Sequence, residues 1–276
     1  MQSSEFSVTV NKETGGIRQL ILRSDRHEMN WIRPERDWGV PREAEFVSAE
    51  IGREKAVSVY RNQRVMITVE RFFGDNGNLK ESYRIKNITG CDVFIKKGDL
   101  SISLPLPDSY PSAGVCMTQR CHTHIWCGGQ TAYVNALKMG CSMENLGLAL
   151  TRGELCGYCV ENQGFSKNDR GIFYLMPSPV ELLAGEETVF EWELFVHRGT
   201  ADFYSRLRSY KAYIEIQAQA YTIFLGENLE LCARARDTIK TAEVAINGEG
   251  CPYSIENNRL RVCYTPGRTG ECVANI

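Results

Sequence analysis

The chain has 276 residues, 43% of them hydrophobic and 24% charged, with a formal net charge of -2. That length can bury a substantial core and fits one large domain plus a small one. The near-neutral balance excludes a general basic field for nucleic acid, and no apolar run approaches the roughly 18 residues that span a bilayer.

The start, Met1-Gln2-Ser3-Ser4-Glu5, is polar and has neither the basic nor the apolar region of a signal peptide. With Met1 as the natural start, a cytoplasmic protein is expected. The 11 cysteines are odd in number and irregular in spacing, unlike the framework of a small secreted domain. Mostly reduced, half-buried thiols are expected.

Residues 6–10 alternate with the period of a strand, 11–16 form a turn cluster, and 17–22 return as a second strand. This is a hairpin in sequence form. The stretch 29–41, with Trp31 and Trp38, reads as loop. Alternation resumes at 56–62 and 65–72, and a Gly-Asp-Asn-Gly-Asn turn at 74–78 leads into a strand over 79–87. Residues 93–104 read as a further strand region. Then comes a dense patch, Cys121-His122-Thr123-His124-Ile125-Trp126-Cys127-Gly128-Gly129. Strands follow at 133–139, 146–151, 155–161 and 171–175, and Pro177-Ser178-Pro179 interrupts the chain. Residues 186–196 alternate polar with apolar, the pattern of a strand with one wet face.

Many strands, frequent turns and no helix–strand alternation predict a mainly β chain built on a large antiparallel sandwich over 1–199. Thr200 reads as the N-cap of a helix. Phe203, Leu207, Tyr210 and Ile214 fall on one helical face, which predicts a helical linker over 200–217. Residues 218–276 are strand-rich again and predict a small Ig-like β-sandwich module. Its last strand is the chain end, which suggests a longer natural protein.

These residues also carry a family likeness. Phe6-Ser7-Val8-Thr9-Val10-Asn11-Lys12-Glu13-Thr14-Gly15-Gly16-Ile17-Arg18-Gln19-Leu20, followed by Met29-Asn30-Trp31, resembles the opening of the galactose-mutarotase-like supersandwich domain. His124-Ile125-Trp126-Cys127-Gly128-Gly129, Tyr133-Val134-Asn135-Ala136-Leu137 and Asn168-Asp169-Arg170-Gly171 resemble bacterial proteins of the same kind. The likeness covers roughly 1–200, and 218–276 resembles the Ig-like linker that follows such domains. It implies the front of a polysaccharide-active enzyme. Catalysis would then belong to a helical α/α-toroid domain expected C-terminal to this region, and nothing in this chain corresponds to it. A shared fold does not by itself fix a reaction.

On a strand, His122 and His124 share one face, with Thr123 opposite. Cys121 and Cys127 nearby raise the idea of zinc. Alternation, however, puts Cys121 on the other face, and no second ligand cluster has standard spacing. No metal and no cofactor are therefore assigned. Cys156-Gly157-Tyr158-Cys159 lies inside a strand pattern, without the helix start that makes such a pair reactive.

Trp126, Tyr133, Trp31 and Trp38 are candidate platforms for the apolar face of a pyranose ring. Asn135, Arg33, Asn168, Asp169 and Arg170 are candidate partners for its hydroxyls. Tryptophans in a large sandwich mostly fill the core; Trp126 is the best exception, because Gly128-Gly129 allows close backbone approach. Epimerisation would need an acid, His122 or His124, and a base, Glu187, Glu191 or Glu193. Glycoside hydrolysis would need two carboxyls, of which Asp169 is one candidate. No P-loop, GxSxG, HExxH or GxGxxG fingerprint is present.

The leading expectation is a carbohydrate-binding, non-catalytic N-terminal region of a glycoside hydrolase or other polysaccharide-degrading enzyme. Its partner would be an oligosaccharide, not nucleic acid or membrane. A stand-alone epimerase of the mutarotase type, or a purely structural module, are the alternatives.

Overall fold

The structure is a computed structural model that describes residues 1–140, 143–162 and 168–276. Cys141 lies outside the described residues. The chain is mainly β and its pairings are antiparallel. It divides into two compact units, Met1–Tyr204 and Ser205–Ile276.

The first unit opens with the hairpin β1 (Phe6–Val10) and β2 (Ile17–Leu22). A meander follows: β3 (Glu45–Ile51), β4 (Lys55–Arg61), β5 (Val65–Phe73) and β6 (Leu79–Asn87). Short strands β7 (Val93–Ile95) and β8 (Ile102–Leu104) precede helix α1 (Ala113–Gln119). Then come β9 (Cys121–Trp126), β10 (Tyr133–Lys138), β11 (Asn145–Arg152), β12 (Leu155–Glu161) and β13 (Ile172–Pro177). The unit closes with β14 (Val180–Leu182), β15 (Glu187–His197) and helix α2 (Thr200–Leu207), whose last residues pass into the second unit.

Eight strands form one sheet in the order β3-β4-β5-β6-β15-β11-β10-β9. The three-stranded sheet β12-β13-β8 and the pairs β1-β2 and β14-β7 supply a second layer. One apolar cluster joins the layers, with Phe6, Leu20, Leu104 and Leu175 from one side and Ile67, Val69 and Trp192 from the other. This is two-layer packing around a single core.

Among the described residues two ion pairs are buried, Lys138–Asp25 and Arg71–Glu81. Arg71 Nε donates to Glu81 Oε1 at 2.6 Å, and both side chains are fully buried. The indoles of Trp38 and Trp192 each donate to Glu81 Oε2 at 2.6 Å. Arg71 also donates to the carbonyls of Gly15 and Gly39, at 2.7 and 3.0 Å. Gly39 has φ +74°, and a Cβ there would fall 2.6 Å from Arg71 Nη2, so only glycine lets this loop close on the guanidinium. Burial disfavours the Arg71 charge, yet Glu81 keeps its pKa above the ordinary arginine value.

Two local expectations are corrected, and two elements, β3 and α1, are added to those read from the sequence. The stretch 93–104 is two strands in different sheets, β7 and β8, separated by a turn with Gly98 at φ +87°. β3 escapes a period-two reading because it is an edge strand with no buried residue. α1 buries none of its residues and so carries no apolar stripe to read. α2 stops at Leu207, and Ile214 begins strand β16 (Ile214–Ala218) with its side chain exposed. Phe203 and Leu207 are buried as a helical face requires, but an Ile-Glu-Ile run suits a strand better than another helical turn.

The second unit continues with β17 (Leu229–Ala235), β18 (Ala245–Ile246), β19 (Glu249–Gly250), β20 (Tyr253–Glu256), β21 (Arg259–Tyr264) and β22 (Ala274–Asn275). Its sheets have the orders β16-β17-β21-β20 and β19-β18-β22. Leu231, Ala233, Val244, Ile246, Leu260 and Val262 form its own core. No helix among the described residues is long and apolar enough to cross a membrane.

Candidate functional site

β9 is an edge strand of the eight-stranded sheet and carries the patch singled out in the sequence. Alternation divides it as expected. Cys121 and Thr123 are buried, while His122, His124 and Trp126 are exposed on the opposite face. Burial pushes the Cys121 thiol well above the ordinary range and leaves it inert in the core.

The open edge of β9 is satisfied by side chains. Asp108, fully buried, accepts the Thr123 N–H at 2.8 Å, and Arg170 Nη1 donates to the Thr123 carbonyl at 3.3 Å. Arg170 also stands 3.5 Å from Asp108 Oδ2. Such groups block the pairing of a further strand. The second oxygen of Asp108 has no hydrogen-bond partner among the described residues. Arg170 is otherwise open, with 53% of its side chain exposed.

His122 and Tyr110 form a pair at the surface, with Tyr110 Oη 3.0 Å from His122 Nδ1. Burial, and then the nearby Asp108 carboxylate, raise the Tyr110 pKa. Tyr110 and Asp108 were missed in the sequence, because a Pro-rich stretch between strands gives no periodic signal. Among the described residues, no group of three or more His, Cys, Asp or Glu side chains is arranged to hold a metal ion.

Trp126 is 53% exposed. Its indole nitrogen donates to Thr131 Oγ1 at 3.3 Å, and Thr131 in turn donates to the Gly128 carbonyl at 2.8 Å. The ring lies against Gly128, where a Cβ would meet indole atoms at 2.2–2.8 Å. The turn thus holds the ring in place and leaves much of it open to a ligand.

The other expected binders are placed differently. Trp31 is fully buried in the core and has no free face for a sugar; Trp38 is buried as well. Tyr133 is directly opposite Trp126 in register. Its ring, however, packs edge-on against Phe203 and Tyr204 of α2, and its hydroxyl is 3.2 Å from that of Tyr204. α2 therefore covers part of the face that alternation alone would leave open. Asn135, opposite His124, is only 4% exposed, and its Oδ1 lacks a partner among the described residues. Next in the same row are Gly147 and Phe195, and the Phe195 ring lies over Gly147.

Asp169 is committed to structure. Both its oxygens accept from Arg33 at 2.8 Å, and Oδ1 also accepts the Gly171 N–H. The Arg33 hydrogen bonds hold its carboxyl below the ordinary range, the reverse of what a general acid needs. Burial opposes the charge of Arg33, but Asp169 and Glu35 raise its pKa. Arg33 is thus occupied as well.

The candidate bases on β15 are also engaged and lie far from the histidines. Glu187 is 3.6 Å from Arg84, Glu191 accepts from Ser82, and Glu193 accepts from Asn76 and Asn78. Glu193 shares a cross-strand row with Trp126, but three strand steps away, or about 14 Å.

No family model matches the chain, and no curated protein matches it in sequence. Among solved structures it is similar to a polysaccharide lyase, with a TM-score of 0.84 and 26% identity over 99% of this chain and 44% of the lyase. The chain thus spans less than half the length of that enzyme. Fainter likenesses are to a 4-α-glucanotransferase from Thermococcus litoralis (TM-score 0.42, 11% identity, 71% of this chain and 36% of that one) and to a mutant of the heparan sulfate lyase HepC from Pedobacter heparinus (0.35, 15%, 70% and 26%). The fold of this chain is that of part of a carbohydrate-active enzyme.

Proposed function

We propose that this chain is the β-rich, carbohydrate-binding part of a polysaccharide-degrading enzyme and that it does not itself break the glycosidic bond. The observation that carries this reading is the end-to-end likeness to less than half of a polysaccharide lyase. On this reading the first unit is a galactose-mutarotase-like supersandwich and the second a small Ig-like module. The chemical step belongs to a helical domain of the full-length protein.

The open face of β9 is the proposed glycan contact. Trp126 offers an aromatic surface for the C–H face of a sugar ring. His124 and His122 precede it on the same strand face, and Arg170 lies at the strand edge by Thr123, all exposed, to pair with hydroxyls or a carboxylate. The exposed indole is the weightier element, because its apolar face can pack on a sugar ring while its N–H stays hydrogen-bonded to Thr131.

A second reading, epimerisation of a sugar, is favoured by the Tyr110–His122 pair, which has the hydrogen-bond geometry of a proton-transfer couple. Against it, the β15 carboxylates are three strands away and already engaged. A binding screen of the purified chain against neutral and acidic oligosaccharides, with Trp126→Ala alongside, tests the first reading. Binding lost in the variant supports it, and binding of no glycan overturns it. Turnover abolished by His122→Ala would favour the second.

A further inference from the structure

The second unit carries a feature that neither its core nor the β9 face explains. Leu231, Leu260 and Val262 point into its small core. Alternation therefore turns Cys232, Arg234, Arg259 and Arg261 to the other side of the four-stranded sheet. Gln217, Cys232, Arg261 and Ser254 form one row across all four strands. On this face lies a groove of about 710 Å³.

Arg234, Arg259 and Arg261 line the groove, with Glu230 as the carboxylate of the lining. Among the described residues, none of the three guanidiniums forms an ion pair, although Arg18, Arg33, Arg64, Arg71 and Arg208 all do. The Nε of Arg234 is buried and has no hydrogen-bond partner among the described residues. Glu215, the acidic group opposite Arg234 in register, is already held by Arg208 at 3.1 and 3.2 Å. Glu256 faces Arg259 across β20 and Glu230 lines the groove, so two carboxylates stand against three guanidiniums, and Arg261, between the neutral Cys232 and Ser254, keeps a charge that its cross-strand neighbours do not match.

Residues two apart on a strand are about 7 Å apart, so Arg259 and Arg261 place two guanidiniums in line along β21, an inner strand. Neutral donors and acceptors, Gln217, Gln219 and Ser254, border it. Guanidinium groups match carboxylates with paired hydrogen bonds, while amides and hydroxyls suit sugar hydroxyls. Tyr253 is the one aromatic residue of the groove, and its hydroxyl accepts the Ala242 N–H. A single tyrosine gives no succession of aromatic rings of the kind on which the bases of single-stranded nucleic acid stack.

We propose that this groove is a second glycan site, on the Ig-like unit, that takes a stretch of carboxylated polysaccharide. The proposal rests on the carbohydrate reading above, but it assigns a different surface and a defined charge. Its role would be to hold an acidic chain while another part of the enzyme acts on it.

The test uses the whole chain and three probes: polygalacturonate, neutral dextran and an oligothymidylate of similar length. Binding is measured by titration calorimetry at several salt concentrations. Comparison is made with the double variant Arg234→Gln/Arg261→Gln, with Arg261→Lys, and with Trp126→Ala. Polygalacturonate should bind, dextran should not compete for the groove, and the double variant should lose roughly tenfold or more in affinity with a shallower salt dependence. Arg261→Lys should recover only part of the loss, because a point charge replaces a fork.

These arginines lie outside the core, and unchanged thermal melting shows that the variants fold. Wild-type affinity in the double variant would overturn the groove. So would oligothymidylate binding tighter than polygalacturonate with the same arginine dependence. Loss confined to Trp126→Ala would sink the groove and leave the β9 site standing. Loss confined to the arginine variants would do the opposite.

Discussion

The indole of Trp126 rests on the backbone of Gly128, close enough that a Cβ would fall 2.2 Å from its ring nitrogen. Gly128→Ala should therefore displace the ring without touching the core. Glycan affinity at the β9 face should fall by a similar factor in Gly128→Ala and Trp126→Ala, while the melting temperature moves little. A large loss of stability in Gly128→Ala would show that the turn has another role.

Trp126 also offers a direct optical handle. Of the four tryptophans, Trp31, Trp38 and Trp192 are at most 1% exposed, whereas Trp126 is 53% exposed. Iodide should quench essentially one tryptophan, and that quenchable fraction should vanish in Trp126→Phe. A bound glycan should protect it. Quenching that persists in Trp126→Phe would contradict the burial of the other three.

The Arg71–Glu81 pair should behave as a unit. Removing one partner leaves an uncompensated buried charge, at a cost of about 3–5 kcal/mol. Arg71→Met or Glu81→Gln alone should each lower the urea midpoint sharply. The double variant should lose less than the sum of the two, because neither charge is then stranded. Additive losses would show that the pair is not coupled.

Asp169 gives a pH signature. Its folded pKa is depressed, so the stability it contributes is fully present above its unfolded value of about 3.9. That stability is lost as pH falls through the folded value. Asp169→Asn should cost about 1.5–3 kcal/mol at pH 7, and the gap from wild type should shrink below about pH 4. Denaturation at pH 7 and at pH 3 measures it. A variant of unchanged stability but altered glycan turnover would restore Asp169 as a chemical group.

Thiol reactivity should follow burial. Cys91 and Cys263 are exposed and should label first with a disulfide reagent at pH 8. Cys127, pushed up to about 11 chiefly by burial, should label slowly. Cys121 should label only on unfolding. Fast labelling of Cys121 in the native protein would mean that β9 detaches from the sheet.

The sequence by itself determined the strand content and the hairpin at the start. It also settled the common face of His122 and His124. Each of these follows from local periodicity, which needs only neighbours along the chain. The standing of Trp126 came from Gly128 beside it, also a local relation. What only the tertiary structure decided was which exposed positions remain exposed. α2 folds back over Tyr133, Phe195 closes over Gly147 beside Asn135, and Trp31 sinks between two layers. Asp169 is claimed by Arg33, 136 residues earlier in the chain. The unmatched charge of Arg261 in the second unit likewise emerges only when four strands pair, because a charge is free or matched according to its neighbours across the sheet, not along the chain.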